Sequence, residues 1–496
     1  MDSILKALNS IQEGERTLES EYNEEWDDWY NSTTEEFLFS DPEHVLDDIK
    51  AAVNTLHQCI DEREYEAGAK LAVQLSKLNV PVIGDYDGGM SLQDLYVYDL
   101  LDEDVEQVAK EAIYAVCMNA AEADRADAMV RVMDGFGCWS VTLEEILQTG
   151  EDEIDLKGLL PSWIEALQKW PASRTDRLLK EAQGMLEDRN AILENASRYA
   201  ESHPALYESL LRSRRENADS REMMEIGLRA MREVPVLCPE RSAISLLTAD
   251  YAHECDEHET AENCYMEAFR SLPTAENYMR LRLESSHWEN HAEAAREAYL
   301  SFYERKSSWD QEPLAPILFF DERFKELEER FMDPGEGIGW SSTFMKEGIS
   351  MMLMTLYEGN QYQSGMKTMQ SMGMDACSFS TESYCEGIGQ KSELPDEAMF
   401  QKCFEKWKAD IVLSEDTREL WLNRIDNWIA LRVSAIMARS NRKYYGECAA
   451  FIAAYGEVME SRNNPGAKDA IMQQYRQEYS RRRAFHDELR CYGMRK

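Results

Sequence analysis

With 496 residues, the chain is too long for a single hydrophobic core, which seldom extends beyond roughly 250–300 residues. Its 44% of apolar residues exclude global disorder, and its formal charge of −42 argues against nucleic acid or anionic lipid as the main partner. The 11 cysteines form no CxxC or CxC pair, which indicates reduced intracellular thiols. The chain does not open on a basic stretch followed by a long apolar run, and its most apolar stretch, residues 349–357, is far shorter than the ~20 residues that span a bilayer. We therefore expect a cytoplasmic protein without membrane contact.

The charge is unevenly distributed along the chain. Residues 1–157 contain 38 acidic and 10 basic side chains, whereas residues 441–496 contain 7 acidic and 11 basic side chains. A solvated acidic surface is the simplest interpretation of the first third. Attraction to a basic partner is the functional interpretation.

Residues 1–40 form an acidic N-terminal segment with an aromatic patch at residues 24–30, and no strand is predicted there or elsewhere. Asp41-Pro42 predicts a helix N-cap followed by proline at the first helical position. The following apolar residues recur at three and four residue spacing, which predicts a helix to about residue 60. A second helix is predicted from residue 67, ended by Pro81 and the glycines at 84–89.

Further helices are predicted at 103–122 and 124–135. Pro161 is predicted to open another helix, which Pro171 closes. Residues 174–234 indicate three more helices.

The clearest repeat signal lies at residues 242–273. Small, aromatic and proline residues there occupy relative positions 8, 20, 24, 27 and 32 of a tetratricopeptide unit: Ala249, Ala261, Tyr265, Ala268 and Pro273. Small residues let two helices cross closely, and an aromatic side chain fills the groove between them. A weaker copy follows at 275–305. The expected fold is all-α, a tetratricopeptide-like array of helical hairpins, or α-solenoid.

Prolines and glycines cluster at residues 307–340, which predicts an irregular linker between a repeat block at 41–306 and a C-terminal helical block at 341–496 with a basic end. The second block begins with eight methionines between Met345 and Met374. They fill a core or line an adaptable groove for a partner helix. The last two helices are predicted at 443–461 and 466–491.

Several stretches of the chain share a pattern of helices and spacers with a known family. They are IKAAVNTLHQCIDEREYEAGAKLAVQLSKL with the following DYDGG, LLPSWIEALQKWPASRTDRLL, the repeat unit with its continuation to ESSHW, GWSSTFMKEG, and the end from KYYGECAAF to HDELR. Over roughly residues 40–491 the chain resembles the helical C-terminal region of bacterial SWIM zinc-finger proteins. The CxC and CxH zinc ligands of that family have no counterpart here, so the resemblance implies no zinc site. The resemblance implies that the chain is a helical module of a larger bacterial complex, in which a separate partner supplies the missing zinc-finger or catalytic activity.

Few residues suggest site chemistry. His253, Cys255, His258 and Cys264 are zinc-ligand types, but the repeat pattern places them on different elements, which favours packing. His287 and His291 lie four apart without the HExxH register, which favours surface histidines, and Asp85–Gly89 lacks the carboxylates of a calcium loop, which favours a turn.

No nucleophile elbow, phosphate-binding loop or dinucleotide motif is present in the sequence, so we expect a protein without cofactor or catalysis. An alternative is an enzyme whose active site is formed by residues far apart in the sequence.

The predicted function is a scaffold or adaptor that binds a protein partner with a basic surface. The candidate contacts are acidic residues of the first third: Asp27, Asp28, Asp47, Asp48, Asp102 and Asp104. Arginines near the end are candidates for nucleic-acid or partner contact: Arg476, Arg481, Arg482 and Arg483. Direct nucleic-acid binding is not expected, because the rest of the chain is acidic.

Two other functions fit the same sequence. One is an acidic mimic of nucleic acid that inhibits a nucleic-acid-binding enzyme. The other is a regulatory subunit or substrate of an effector complex, such as a protease or an RNA-guided machine, with 307–340 or 376–397 as the exposed segment.

Overall fold

The computed structural model describes residues 1–27, 32–152, 154–186, 188–213 and 219–495. It is 68% helical with 26 α-helices in that part of the chain, which confirms the all-α class. The solenoid arrangement stays a prediction. Among the helices that the structure describes, none combines the length and the apolar character that crossing a bilayer requires. Contacts divide the chain into two compact units, Met1–Ser213 and Arg214–Lys496, with the division inside the predicted block 41–306.

The N-terminal unit contains the first eleven helices. They are α1 Asp2–Gln12, α2 Val45–Asp61, α3 Tyr65–Leu75, α4 Leu92–Val97, α5 Val105–Asn119, α6 Glu122–Phe136, α7 Leu143–Leu147, α8 Leu156–Leu167, α9 Ala172–Met185, α10 Arg189–Arg198 and α11 Ala205–Arg212. The predicted helix pair at 103–135 is present as α5 and α6.

A four-stranded sheet in this unit corrects the expectation that the chain has no strands. Its strands are β1 Leu18–Asp27, β2 Ser32–Ser40, β3 Val80–Gly84 and β4 Gly89–Met90, in the order β2-β1-β3-β4. β1 pairs antiparallel with β2 and parallel with β3. β1 could not be recognised from the sequence, because it is rich in glutamate, a residue that is depleted in strands. Pro81, predicted to end a helix, lies inside β3.

The start of α2 differs from its prediction. The helix begins at Val45, so Pro42 precedes it, and His44 occupies the N-cap position. Asp41 still binds the helix start, because its carboxylate accepts the backbone N–H groups of Val45 at 2.7 Å and Leu46 at 2.8 Å. The predicted function of Asp41 is correct, and its predicted position is wrong by three residues.

The prediction that Pro161 opens a helix is wrong. α8 starts five residues earlier, at Leu156, and Pro161 lies inside it, where it removes one backbone hydrogen bond. Pro171 follows the helix, as expected, and precedes α9. Four helices, α9 to α11 and a further one at Ser220–Glu233, occupy the segment for which three are predicted.

The C-terminal unit contains the remaining helices. They are α12 Ser220–Glu233, α13 Pro239–Glu254, α14 His258–Ser271, α15 Ala275–Glu284, α16 Ala292–Tyr303, α17 Leu314–Phe320, α18 Phe324–Phe331, α19 Met345–Leu356, α20 Ser364–Ala376, α21 Thr381–Cys385, α22 Asp396–Ala409, α23 Glu415–Arg439, α24 Tyr445–Ser461, α25 Ala467–Glu478 and α26 Arg483–Cys491. The stretch 466–491, predicted as one helix, contains two.

The residues that define the repeat signal pack as expected. Ala249, Ala261, Tyr265 and Ala268 are buried between α13, α14 and their neighbours. α12 and α13 also approach closely, because a Cβ atom on Gly227 would lie 2.0 Å from the hydroxyl of Thr248. Small residues therefore set the helix spacing in this region.

Residues 307–340, predicted as an irregular linker, contain α17 and α18. Phe319 and Phe320 of α17 are fully buried, with ring centroids 5.3 and 5.1 Å from that of Trp407. This segment contributes to the core of the unit.

The methionines of α19 and α20 fill a core. Met351, Met354, Met366 and Met369 are fully buried. The hydroxyl of Ser350 donates to the carbonyl of Lys346 at 2.7 Å, and its oxygen lies 3.2 Å from the sulfur of Met369. Their burial favours core packing over an open groove.

A buried guanidinium connects an irregular segment to two helices. Arg432 of α23 donates to the carboxylate of Glu447 at 2.7 and 2.9 Å and to the carbonyls of Gly337 and Ile338 at 2.9 and 2.7 Å. Its guanidinium also lies 5.4 Å from the ring centroid of Trp340. Arg432 therefore fixes residues 337–340 against α23 and α24.

We expect Arg432→Ala to lower the free energy of unfolding by roughly 3–5 kcal/mol, because it removes the nearer of the two cations beside the largely buried Glu447 and the hydrogen bonds to two carbonyls. Arg439→Ala is the matched control on the same helix. Its guanidinium is more than half exposed and 3.6 Å from Glu336, so we expect a change below about 0.5 kcal/mol. Urea unfolding followed by circular dichroism measures both, and equal effects would contradict the importance of Arg432.

Candidate partner-binding surface

The sheet of the N-terminal unit places three distant segments side by side. The turn after β3 is hydrogen-bonded to β1, one of the two inner strands of the sheet. The hydroxyl of Ser20, on β1, accepts the backbone N–H of Tyr86 at 2.9 Å. The carboxylate of Asp85 accepts the backbone N–H of Tyr22 at 2.8 Å. Gly84 permits this approach, because its φ is +128° and a Cβ atom there would lie 1.9 Å from the carbonyl oxygen of Ser20. The turn thereby brings Tyr86 next to β1.

Five rings then meet on one side of the sheet. This aromatic cluster consists of Tyr22, Phe37, Phe39, Tyr86 and Tyr98. Neighbouring ring centroids lie 5.2–5.7 Å apart for five pairs and 6.4 Å apart for Phe37 and Phe39, mostly in edge-to-face geometry. The cluster is open to solvent, since Tyr22 is 42% and Tyr98 38% exposed.

The segments that build the sheet contain carboxylates and no basic side chain. Residues 17–49 and 78–109 include all four strands and α4, and neither stretch has a lysine or an arginine. The pKa of the Tyr86 phenol is raised mainly by burial and, to a smaller extent, by the negative charge of nearby Asp94. Exposed rings with carboxylates beside them attract guanidinium and ammonium groups, through both cation–π and ionic contact.

The structure brings four of the six predicted acidic contacts to neighbouring elements. Asp47 and Asp102 are exposed, with side chains 75% and 92% accessible, and Lys50 of α2 lies 3.7 Å from Asp102. Asp48 instead pairs with Arg16, and Asp104 caps α5 by accepting the backbone N–H of Glu106 at 3.0 Å. The last two therefore have structural roles.

The other two predicted acidic contacts fall in the β1–β2 hairpin. Asp27 is the last residue of β1, opposite Ser32. Asp28 lies outside the described residues.

The four C-terminal arginines differ in their surroundings. Arg481 and Arg483 are exposed, whereas Arg476 is half-buried and donates to Gln473 at 3.3 Å. Arg482 donates to the carbonyl of Met437 at 2.6 Å, in the last turn of α23. A cation at this position gives the carbonyl of Met437 a second hydrogen bond, beside that from the backbone N–H of Ser440, and favours the helix dipole, so Arg482 has a structural role.

The candidate zinc ligands do not converge. His253 forms a 2.6 Å hydrogen bond with the hydroxyl of Tyr265, and Cys264 is fully buried in α14. Among the residues that the structure describes, no group of three or more His, Cys, Asp or Glu side chains is placed to hold a metal ion. Asp85 and Asp87 lie in the turn between β3 and β4, as the turn interpretation expects.

The aromatic cluster is absent from the sequence predictions. A weak signal exists, because Phe37 and Phe39 lie at the two-residue spacing of a strand face within an acidic stretch. Tyr86 and Tyr98 join them only through the pairing of β1 with β3. This contact between distant segments could not be inferred from local pattern.

Arg482→Ala should lower the free energy of unfolding by about 1 kcal/mol, because it removes the hydrogen bond to the last turn of α23. Arg481→Ala, at the neighbouring exposed position, is the matched control and should change it by less than about 0.5 kcal/mol. Thermal unfolding of both variants is the measurement. A larger effect for Arg481 would contradict the assignment.

The sequence was also compared with known proteins. A scan against models of protein families finds no match, and a search of curated proteins finds no similar chain. The resemblance to the helical region of SWIM proteins therefore stays an expectation, and function is proposed from the chain's own surfaces.

Proposed function

We propose that the protein is a non-catalytic scaffold or adaptor that binds a protein partner through the aromatic cluster and the carboxylates around it. The partner presents arginine or lysine side chains on a basic surface. The observation that carries this proposal is a cluster of five packed rings, two of them exposed and three half-buried, on a sheet built from segments without any lysine or arginine.

Aromatic residues and buried arginines dominate binding energy at protein interfaces. A central group of rings with an acidic rim therefore fits a protein interface in which basic side chains of the partner meet the rings. The carboxylates steer the partner to the surface and set its orientation.

The same surface supports a scaffold better than a mimic of nucleic acid. A mimic needs rows of free carboxylates near phosphate spacing. Asp85 binds the backbone of β1, and Asp94 binds the backbone and hydroxyl of Ser91 at 2.8 and 2.6 Å. These two carboxylates therefore stabilise local structure around the rings instead of forming a free row.

Tyr98→Ala should weaken the complex with the native partner by at least about fivefold, because it removes a ring that a cation of the partner contacts. Tyr96→Ala is the matched control. Tyr96 is 46% exposed on α4 and lies outside the aromatic cluster, so we expect less than about a twofold change. The partner is first isolated by affinity purification from the native host, and its affinity for each purified variant is then measured by calorimetry.

The carboxylates should make the same complex sensitive to salt. Raising NaCl from about 0.1 M to about 1 M shortens the Debye length from about 10 Å to about 3 Å. The association rate should therefore fall by at least about tenfold. If neither salt nor the Tyr98→Ala substitution changes the affinity or the association rate, binding at this surface is refuted. Carbodiimide cross-links from Asp85 or Asp94 to partner lysines would support it.

A further inference from the structure

A short segment of the C-terminal unit binds across helices α13, α14 and α15. This docked segment, residues 378–389, consists of the one-turn helix α21 followed by a turn that contains Gly387 and Gly389. Both glycines have positive φ, +87° and +68°. Most contacts with the three helices come from helix side chains that bind the backbone of the segment.

The first contact point is the glycine turn. The carboxylate of Asp250, on α13, accepts the backbone N–H of Gly387 at 3.1 Å and that of Gly389 at 3.0 Å. The hydroxyl of Tyr265, on α14, donates to the carbonyl of Gly387 at 3.0 Å. His253 then donates from Nε2 to the same hydroxyl at 2.6 Å, because the phenol proton is already used. A side chain at Gly389 does not fit, since its Cβ would lie 2.7 Å from that of His253.

The second contact point is the helical turn. Arg280, fully buried on α15, donates to the carbonyls of Ser383 at 2.6 Å and Tyr384 at 3.1 Å. Its guanidinium lies 5.7 Å from the ring centroid of Tyr384. Glu276 accepts the hydroxyl of Ser383 at 2.6 Å and, more weakly, the backbone N–H of Ser380.

Two buried aromatic side chains anchor the segment. Tyr384 is fully buried, and its hydroxyl donates to the carboxylate of Glu284 at 2.7 Å. Phe379 is 5% exposed, and its ring centroid lies 5.3 Å from that of Tyr384 and 5.4 Å from that of Phe400 on α22. The chain that follows, residues 390–395, has no regular secondary structure, and five of those six residues are exposed. The segment thus combines two buried aromatic anchors with backbone recognition, and it continues into solvent.

The receiving side chains are regularly spaced. Leu246 and Asp250 lie four residues apart on α13, with His253 a turn further, and Glu276, Arg280 and Glu284 follow a four-residue spacing on α15. Each set therefore occupies one face of its helix. α13 and α15 are the first helices of the two consecutive predicted repeat units. Equivalent faces of successive units thus converge on the docked segment.

We propose that this face of α13–α15 is a peptide-binding site whose resident ligand is the chain's own segment 378–389. The ligand class is a short peptide with a helical turn, a tyrosine anchor and a Gly-x-Gly turn three residues after that tyrosine. A partner segment of this chemistry competes with the resident segment for the face.

The test uses the full chain and a labelled synthetic peptide of residues 378–391, SFSTESYCEGIGQK, under reducing conditions. In one variant, residues 380–389 are replaced by a glycine-serine linker of equal length. Fluorescence anisotropy should show saturable binding of the peptide to this variant and none to the unchanged chain, whose face is occupied. Peptide with Tyr384→Ala should bind at least about tenfold more weakly.

Controls separate recognition from general unfolding. Within the linker variant, Arg280→Lys should weaken binding at least about tenfold, because lysine cannot reproduce the two carbonyl contacts, whereas Arg270→Lys on α14 should not. If the linker variant loses its helical circular dichroism, the point variant Tyr384→Ala replaces it in the same titration. The proposal is overturned if a folded variant binds the peptide no better than the unchanged chain. It is also overturned if both variants unfold, because a ligand must be separable from the fold.

Discussion

Buried guanidinium groups that bind backbone carbonyls hold the irregular parts of the C-terminal unit in place. Arg280 binds the carbonyls of the docked segment, and Arg432 binds those of residues 337 and 338. A guanidinium offers five N–H donors in one plane, so a single buried side chain satisfies several carbonyls that no helix or strand can pair. Such a charge is stable inside only with its anion and its acceptors present. The positions of these loops therefore depend on two buried cations.

The sheet region is stabilised differently, because residues 17–49 and 78–109 contain no lysine or arginine. Many carboxylates of the sheet region bind backbone N–H groups, as Asp41, Asp85 and Asp104 do, because few basic side chains are available to them. Capping of this kind uses acidic residues to fix local structure without burying them. The remaining negative charge stays at the surface around the aromatic cluster. This composition thus stabilises the sheet region and is compatible with the proposed binding of a basic partner.

The predictable part of the fold is the part with local causes. The apolar stripe of α2 and the small residues of α13 and α14 follow from spacing along one helix, and both are buried as expected. β1 could not be recognised in this way, because its neighbour β3 lies about sixty residues further along the chain and its own composition disfavours a strand. The aromatic cluster and the docked segment depend on similar long-range pairings. Among the predicted site residues, Asp47 and Asp102 are exposed, as a binding role requires. Three others, Asp48, Asp104 and Arg482, make structural contacts that the sequence does not show.

Strand β2 lies at one edge of the sheet. In the register of the β1–β2 pair, Glu24 is opposite Glu35 and Asn23 is opposite Glu36. Neither strand contains a lysine or an arginine, so the charged residues of both strands have the same sign. Charge of one sign along an edge strand disfavours the addition of a like strand, so this composition discourages two copies of the chain from pairing along β2.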